Sequence, residues 1–366
     1  MAFYDELQQK KEWVKAEHKS VDRAMIEYIL QKRKLTLADF WALISQEAEP
    51  YLELIAGKAH ELSKRFHGQS VLLYAPIYLS NYCVNKCIYC SFNHSNKLLR
   101  KKLTVEEVEE EAKALAATGI RHVIILTGEA PNRAGLAYLK ECINVLKKYF
   151  SSITLEVYPM VTEDYQELAD LGADGLTIYQ ETYDERLYDE IHLAGPKKNY
   201  RFRLDAPERA CLAGFHSVNI GALLGLAPWR EEALYTAFHL QYLQDHYPAT
   251  MVSVSFPRLR PHVGSYDPAF PLSDKNLVQL LLAFRVFLPQ AGITMSTRER
   301  ADFRDHLIPL GVTKMSAGSM TTVGGYAKPA SDSGQFDISD DRSVDEVKAA
   351  IIKAGYQPIM QNWCAF

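Results

Sequence analysis

The chain has 366 residues, of which 48% are hydrophobic and 23% charged, and its formal net charge is −4. This composition supports a large core, while the modest, mixed charge gives no indication of binding to nucleic acid or to an anionic membrane surface. No apolar run reaches the length of a membrane span, and the first residues lack the basic and apolar regions of a signal peptide. These features predict a cytoplasmic enzyme, in a compartment that keeps thiols reduced.

Residues 1–69 are predicted to form an N-terminal helical extension, because apolar residues recur at helical spacing, for example over 36–44. From Ser70 onward, short apolar segments alternate with amphipathic ones, which is typical of parallel strands joined by helices. The eight predicted strands are 70–78, 122–127, 153–158, 175–180, 217–221, 252–256, 293–297 and 312–316. Eight such units predict an α/β fold, a (β/α)8 TIM-type barrel over residues 70–320.

Local signals predict where one further helix begins and ends, and the secondary structure of residues 321–366. Thr104 and Glu107 form a capping-box pattern that opens a helix, and Gly119 is expected to close it. Residues 321–366 are predicted to be a short C-terminal extension packed on the barrel. Within it, 331–341 reads as a polar loop and 344–354 as a final helix.

Three cysteines stand close together after the first predicted strand, where Cys83, Cys87 and Cys90 have the spacing Cys-x3-Cys-x2-Cys. Thiolates ligate iron–sulfur clusters, and three ligands on one loop leave one iron of a four-iron cluster open to a bound molecule. A zinc site with His94 is an alternative, although the sequence has no second short ligand pair. A disulfide framework fits less well, because six cysteines are few for this length. The isolated cysteines, predicted to be buried or incidental thiols, are Cys142, Cys211 and Cys364.

Polar residues cluster at the carboxyl ends of the predicted strands, which is where TIM-type barrels place their chemistry. They include Thr127, Glu129, Glu156, Glu181, Arg258, Arg260, Ser296, Arg298, Ser316 and Ser319. Taken together these residues predict a single pocket at that end of the barrel.

The cysteine spacing, with Tyr89 directly before the last cysteine, resembles the radical S-adenosylmethionine (SAM) superfamily. The resemblance implies a [4Fe–4S] cluster on Cys83, Cys87 and Cys90, an open iron chelated by SAM, and Tyr89 near the cofactor. The segment 127–129 (Thr127, Gly128, Glu129) resembles the family's Gly-Gly-Glu segment, whose backbone receives the methionine amine of SAM. Segment 220–225 resembles its adenine-contacting fifth strand.

Three more residues are candidates for contacts with SAM. Glu156 and Glu181 are predicted to accept hydrogen bonds from the ribose hydroxyls or the SAM amine, with rim salt bridges as the alternative. Arg203 is predicted to hold the SAM carboxylate, because a guanidinium matches a carboxylate bidentately. Its alternative is an ion pair with Asp205 or Glu208.

Several segments resemble one branch of the superfamily, the aromatic amino-acid lyases: 179–183, 255–261, 296–299, 316–319 and 324–326. That branch contains the 2-iminoacetate synthases of thiamine thiazole synthesis, the tyrosine lyase of hydrogenase maturation and a tryptophan lyase. The resemblance implies that Arg298 holds the substrate carboxylate, with Ser316 or Ser319 assisting and Ser296 nearby. The alternative for Arg298 is a rim pair with Glu299.

The segment 361–366 carries one cysteine, which cannot hold a second cluster, so the resemblance is greatest to the 2-iminoacetate synthases. It implies cleavage of the Cα–Cβ bond of L-tyrosine to 2-iminoacetate (dehydroglycine) and p-cresol, while SAM is cleaved to 5′-deoxyadenosine and methionine. The implied partners are a thiazole synthase subunit and a flavodoxin- or ferredoxin-type electron donor. The alternatives are a tryptophan lyase, a hydrogenase-maturation type lacking the second cluster, and a non-catalytic metal- or SAM-binding scaffold.

Overall fold

A computed structural model of the chain describes residues 2–14, 21–264, 266–328 and 334–361. Two predictions fall outside these ranges, namely the one for Cys364 and the one for positions 331–333 of the polar loop. Cys142 and Cys211 are buried, as predicted.

Eight parallel strands close into a barrel, which confirms the predicted fold class. They are β1 (Ser70–Ser80), β2 (His122–Thr127), β3 (Ser152–Glu156), β4 (Gly175–Glu181), β5 (Ser217–Ala222), β6 (Met251–Ser255), β7 (Gly292–Met295) and β8 (Lys314–Ser316). Each strand pairs with the next along the chain, and β1 closes the barrel by pairing with both β2 and β8. All eight strands lie within about two residues of their predicted positions.

A ninth strand, β9 (Gln357–Ile359), was not predicted from the sequence. It pairs parallel with the first residues of β1, Ser70 to Leu72. Its three residues include a proline and show no alternation of apolar and polar side chains, so nothing local indicates a strand. The C-terminal segment is therefore joined by backbone hydrogen bonds to the amino end of the barrel.

Fourteen α-helices are found in the described ranges. They are α1 (Phe3–Val14), α2 (Arg23–Gln31), α3 (Leu37–Ile44), α4 (Leu52–His67), α5 (Val105–Ala117), α6 (Leu136–Leu146), α7 (Thr162–Leu171), α8 (Glu185–Ile191), α9 (Tyr200–Leu204), α10 (Ala206–Leu212), α11 (Trp229–His246), α12 (Asp274–Phe287), α13 (Ala301–Leu307) and α14 (Val344–Lys353). The capping box of α5 is confirmed, since the Thr104 side chain accepts from the Glu107 amide and the Glu107 carboxylate accepts from the Thr104 amide. Gly119 follows the helix with a φ of 91°, a conformation that favours glycine.

The N-terminal helices lie on the outside of the barrel. Helices α3 and α4 pack on α12, α3 also packs on α11, and α1 contacts α9 and α11. These contacts bury apolar side chains such as Phe40 and Leu43. No helix in the described part of the chain is both long and apolar enough to cross a membrane.

Candidate active site

The cysteine loop follows β1 and is hydrogen-bonded to two other loops. The Val84 amide donates to the carbonyl of Glu129, just after β2, at 2.9 Å. The Lys86 amide donates to the Ala194 carbonyl at 2.9 Å, and the Lys86 carbonyl accepts from the Leu193 amide at 3.0 Å. The loop is thus fixed between the end of β2 and the segment that follows α8.

Arg100 binds the same loop from the other side, and sequence reasoning missed it. Its guanidinium donates to three backbone carbonyls at 2.6–2.9 Å: those of Asn81, Phe92 and Asn93. Five N–H donors in a fixed plane suit this task, because each can satisfy a carbonyl that the irregular loop leaves unpaired. The only local signal in the sequence is the basic run 100–102 that ends the loop.

The three cysteines of the loop are free thiols. Burial raises the pKa of Cys87 to about 12; Lys197 opposes this effect, and Cys90 and Cys83 add to it. The Cys90 amide donates to the Cys87 carbonyl at 3.3 Å, which holds these two residues of the loop together. Such a donor set fits an iron–sulfur cluster, whose iron atoms displace the thiol protons on binding.

The zinc alternative depended on His94. Its Nδ1 lies 3.2 Å from the Cys83 carbonyl oxygen, so that nitrogen is engaged by the backbone. Within the described ranges, no three His, Cys, Asp or Glu side chains converge on one metal ion. A four-iron cluster does not require such convergence, because its cysteines attach to different iron atoms.

The end of β2 packs directly against the cysteine loop. A Cβ added to Gly128 would lie 2.4 Å from the Tyr82 carbonyl oxygen, so glycine is required there. The Glu129 carboxylate accepts from Asn85 Nδ2 of the loop at 2.6 Å. Thr127 Oγ1 is buried and has no hydrogen-bond partner in the described part of the chain. This unpaired hydroxyl fits the predicted position of a SAM contact.

Glu181 ends β4 in a strained conformation, with a φ of 71° that few non-glycine residues adopt. Its carboxylate accepts from Lys197 Nζ at 2.6 Å and lies 3.4 Å from Arg203 Nη2. Burial acts to raise the pKa of Glu181, but Lys197 and Arg203 outweigh it and the pKa is lowered. Glu181 is therefore a buried, ionised carboxylate between two cations. Lys197, which follows a Gly-Pro turn, has no sequence signal for this role.

Arg203 does not pair with either carboxylate suggested by its sequence neighbourhood. Its Nε donates to the Tyr179 carbonyl at 2.8 Å, and its ion pair is with Glu181. Asp205 accepts instead from the Tyr4 amide and Arg201, and Glu208 accepts from the hydroxyls of Tyr242 and Tyr247.

Tyr89 is held by a neutral histidine. Its hydroxyl lies 2.7 Å from His192 Nε2, and His192 Nδ1 lies 2.7 Å from the Tyr188 carbonyl. A carbonyl can only accept, so Nδ1 carries the proton and Nε2 accepts from Tyr89. Burial lowers the pKa of His192 to about 3, which keeps the ring neutral. These two hydrogen bonds fix the orientation of the Tyr89 ring next to Cys90.

A pocket lies inside the barrel at the carboxyl end of the strands. Its lining consists of Tyr74, Pro76, Tyr78, Ile124, Leu126, Glu156, Tyr179, Ser296, Thr297, Arg298, Ser316, Ser319, Thr321 and Phe336. The structure therefore brings Glu156, Arg298 and all three predicted serines together. The prediction of a single pocket is only partly confirmed, because five of the predicted residues do not line it: Thr127, Glu129, Glu181, Arg258 and Arg260.

Arg298 faces the pocket without a carboxylate partner among the described residues. Its guanidinium lies 3.5 Å from the centre of the Phe336 ring, and Nη1 is 3.4 Å from the Arg258 carbonyl. The alternative pairing with Glu299 is wrong, because Glu299 accepts from Arg258 Nε at 2.8 Å. A cation held by a ring and one carbonyl keeps most of its donors available for a ligand.

The three serines differ in what their hydroxyls contact. Ser316 Oγ accepts from the Thr297 amide at 3.0 Å, and Ser296 Oγ lies 3.4 Å from the Arg298 amide. Ser319 Oγ is buried and has no partner in the described ranges. Ser296 and Ser316 use their oxygens as acceptors in these bonds, and Ser319 differs from them in having no partner at all within the described ranges.

Comparisons with known proteins place the chain among radical enzymes. The sequence matches the Radical SAM superfamily over residues 77–235 and the Biotin and Thiamin Synthesis associated domain over residues 255–357. It is 40% identical to the 2-iminoacetate synthase of Escherichia coli (strain K12) over 94% of this chain and 91% of that protein. It is also 40% identical to the 2-iminoacetate synthase of Salmonella typhimurium, over 93% of this chain and 90% of that protein. The crystal structure of HydG, a maturase of the [FeFe]-hydrogenase, matches with a TM-score of 0.89 at 31% identity, over 99% of this chain and 81% of that one.

Proposed function

Because the chain belongs to the 2-iminoacetate synthases of the radical SAM superfamily, we propose that its barrel pocket binds L-tyrosine and breaks the Cα–Cβ bond. The enzyme is a carbon–carbon lyase that uses a [4Fe–4S] cluster and SAM. The products are 2-iminoacetate and p-cresol from tyrosine, and 5′-deoxyadenosine and methionine from SAM. The 2-iminoacetate serves the synthesis of the thiamine thiazole.

The observation that carries the proposal is the state of Arg298. A guanidinium that lies against Phe336 and has no carboxylate partner in the described ranges is suited to a carboxylate ligand. Of the serines, Ser319 supports the same ligand best, since its hydroxyl is buried and unpaired. Ser316 accepts from the Thr297 amide and so positions the segment that precedes Arg298. Ser296 accepts from the Arg298 amide. An amino-acid carboxylate on Arg298 and Ser319 would direct the tyrosine side chain into the barrel.

Cys83, Cys87 and Cys90 would hold the cluster. When bound, the cluster and SAM supply a radical that can take a hydrogen atom from the substrate. The backbone bonds of the loop, together with Arg100, keep the three thiols in one place. The enclosed barrel orients tyrosine and excludes water, and such positioning is worth roughly 7–11 kcal/mol in favourable cases.

We assign the SAM contacts to groups at the ends of β2 and β4. The unpaired Thr127 hydroxyl and the close-packed Gly128 fit a ligand that approaches the backbone. Glu181 and Arg203 offer a carboxylate and a guanidinium for the polar groups of SAM. Glu129 is a positioning residue, because its carboxylate holds Asn85 of the cysteine loop. Tyr89 lies beside the last cysteine with its hydroxyl fixed by His192.

Two protein partners follow from the chemistry. The cluster needs an electron from a flavodoxin- or ferredoxin-type donor, and the segment 84–103 supports an acidic donor because it has five lysines and arginines and no acidic residue. The imine product hydrolyses readily in water, so a thiazole synthase subunit is expected to take it up.

We place the reaction in the cytoplasm, whose reducing conditions preserve free thiols. We also propose that 1–69, 70–320 and 321–366 act as helical extension, catalytic barrel and C-terminal extension.

An anaerobic assay tests the proposed function. The reconstituted enzyme is incubated with SAM and a reductant, with tyrosine and tryptophan in parallel reactions. We expect p-cresol and 5′-deoxyadenosine with tyrosine. Cleavage of tryptophan but not tyrosine would assign the chain to the tryptophan lyases, and no 5′-deoxyadenosine with either substrate would favour the non-catalytic scaffold.

A further inference from the structure

Glu156 ends β3 and lines the same pocket as Arg298. In the described part of the chain its carboxylate takes part in no hydrogen bond or ion pair, in contrast to Glu181, which binds two cations. Glu156 is half-buried, and a carboxylate that is partly withdrawn from water without a partner in the protein is costly to maintain. Such a group is therefore a candidate for direct contact with a ligand.

The pocket is lined by one carboxyl group and one guanidinium group that do not form an ion pair with each other. Glu156 and Arg298 both line it, yet no ion pair joins them within the described ranges. A free amino acid carries an ammonium and a carboxylate on neighbouring atoms. A pocket with separate acidic and basic groups matches that pair of charges.

Charged and titratable groups from several elements act electrostatically on Glu156 or are influenced by it. From β1 come Tyr74 and Tyr78, from β4 Tyr179 and Glu181, from the segment after α8 Lys197, from α9 Arg203, and from the segment after β7 Arg298. Its partner on β2 is the apolar Leu126. Burial raises the pKa of Glu156 to about 7, although Arg298 opposes the shift. The group can therefore accept and release a proton near neutral pH.

We propose that Glu156 receives the α-ammonium group of tyrosine and removes one proton from it before hydrogen abstraction; this inference rests on the proposed function. The N–H bond of the substrate breaks towards Glu156, whose carboxylate becomes a carboxylic acid, and the nitrogen keeps the electron pair. A neutral amine is needed because its lone pair stabilises the radical left when a hydrogen atom is taken from nitrogen. The proton on Glu156 returns to water when the product leaves. Arg298 and Glu156 thus hold the two ends of the zwitterion.

The matched control is Glu232, on α11. Burial raises the pKa of Glu232 to about 7 as well. Its carboxylate, however, accepts from the Thr182 hydroxyl at 2.7 Å and from the Tyr183 amide at 2.9 Å, and it does not line the pocket. Glu232 is fully buried and Glu156 half-buried, so Glu232→Gln makes the same chemical change at a second carboxylate with a raised pKa, outside the pocket.

The experiment measures p-cresol formation by reconstituted wild type, E156Q and E232Q over a tyrosine titration, from pH 6 to 9, at saturating SAM. In the wild type we expect activity to fall as the pH drops through about 7, because protonated Glu156 cannot accept a proton. E156Q should lose this acid limb and gain activity towards high pH, where tyrosine itself supplies the neutral amine. Its KM for tyrosine near pH 7 should rise by a factor of about ten to a hundred, since the acceptor that faces the ammonium group loses its negative charge. E232Q should keep the wild-type acid limb and KM.

Three outcomes would overturn the inference. The first is a wild-type pH profile and tyrosine KM in E156Q. The second is an increase in the KM for SAM alone, which would make Glu156 a SAM contact. The third is a wild type that forms 5′-deoxyadenosine but no p-cresol from tyrosine, which would overturn the proposed function and this inference with it. If E156Q does not assemble its cluster, E156D is measured in its place. It should retain the acid limb of the pH profile and have a higher KM for tyrosine than the wild type.

Discussion

Two glutamates lie in different regions of the same barrel: half-buried Glu156 lines the central pocket, and fully buried Glu232 lies on α11. Burial raises the pKa of both to about 7. Glu232 is hydrogen-bonded to a hydroxyl and an amide, whereas Glu156 has no partner in the described part of the chain. The pKa therefore does not distinguish a binding group from a structural one. The missing partner does, because protein stability alone gives no reason for it.

The largest effect on activity is expected from replacing a cysteine of the cluster loop. Cys87→Ala removes one of three cluster ligands, so we expect p-cresol and 5′-deoxyadenosine formation to fall below detection and the iron content to drop. Cys142→Ala, in the buried face of α6, should keep the cluster and full activity. Iron analysis and visible absorbance after anaerobic reconstitution check both variants. A Cys87→Ala protein that retains about four irons would refute the cluster assignment.

The second largest effect is expected from replacing Arg298. Arg298→Ala leaves the tyrosine carboxylate unpaired in a partly dry pocket, which costs on the order of 3–5 kcal/mol, or a factor of about a hundred to several thousand in productive binding. Arg230→Ala is the control, because Arg230 pairs with Glu49 on the outer layer and such pairs contribute at most about 1 kcal/mol. The measurement is p-cresol yield across a tyrosine titration. An unchanged tyrosine dependence in Arg298→Ala would show that the carboxylate is held elsewhere.

The smallest expected effect separates two serines of one pocket. Ser319→Ala removes an unpaired hydroxyl, so the tyrosine KM should rise by a factor of about ten to a hundred while the melting temperature stays unchanged. Ser316→Ala leaves the Thr297 amide without its acceptor, so it should lower stability by about 1 kcal/mol and change the KM less. The opposite pattern would assign the carboxylate contact to Ser316.

Much of this architecture could be predicted from the sequence because its signals are local. The eight strands are short apolar runs bounded by polar residues, and three cysteines on one loop are a contiguous pattern. A barrel then brings the strand ends together, which is why Glu156, Arg298 and the serines meet in one pocket.

The rest depends on contacts between residues far apart in the chain. Lys197 reaches Glu181, and Asn85 reaches Glu129, through side chains whose direction no sequence spacing indicates. The strand β9 is defined by its pairing with the first residues of β1, which lie far from it in the sequence. Sequence likewise could not separate Ser316 from Ser319, because both lie near the carboxyl end of β8 and their hydrogen-bond partners cannot be read from the sequence.

The central claim is that the pocket binds tyrosine as a zwitterion, with Arg298 on the carboxylate and Glu156 on the amine. Inhibition constants for tyramine, which lacks the carboxylate, and 3-(4-hydroxyphenyl)propionate, which lacks the amine, test it in the wild type, Arg298→Ala and Glu156→Gln. The wild type should bind tyrosine more tightly than either analogue. Arg298→Ala should lose most of the preference for tyrosine over tyramine, and Glu156→Gln should lose most of the preference for tyrosine over the propionate. An Arg298→Ala or Glu156→Gln enzyme that keeps the wild-type preference for tyrosine over its corresponding analogue would contradict the account.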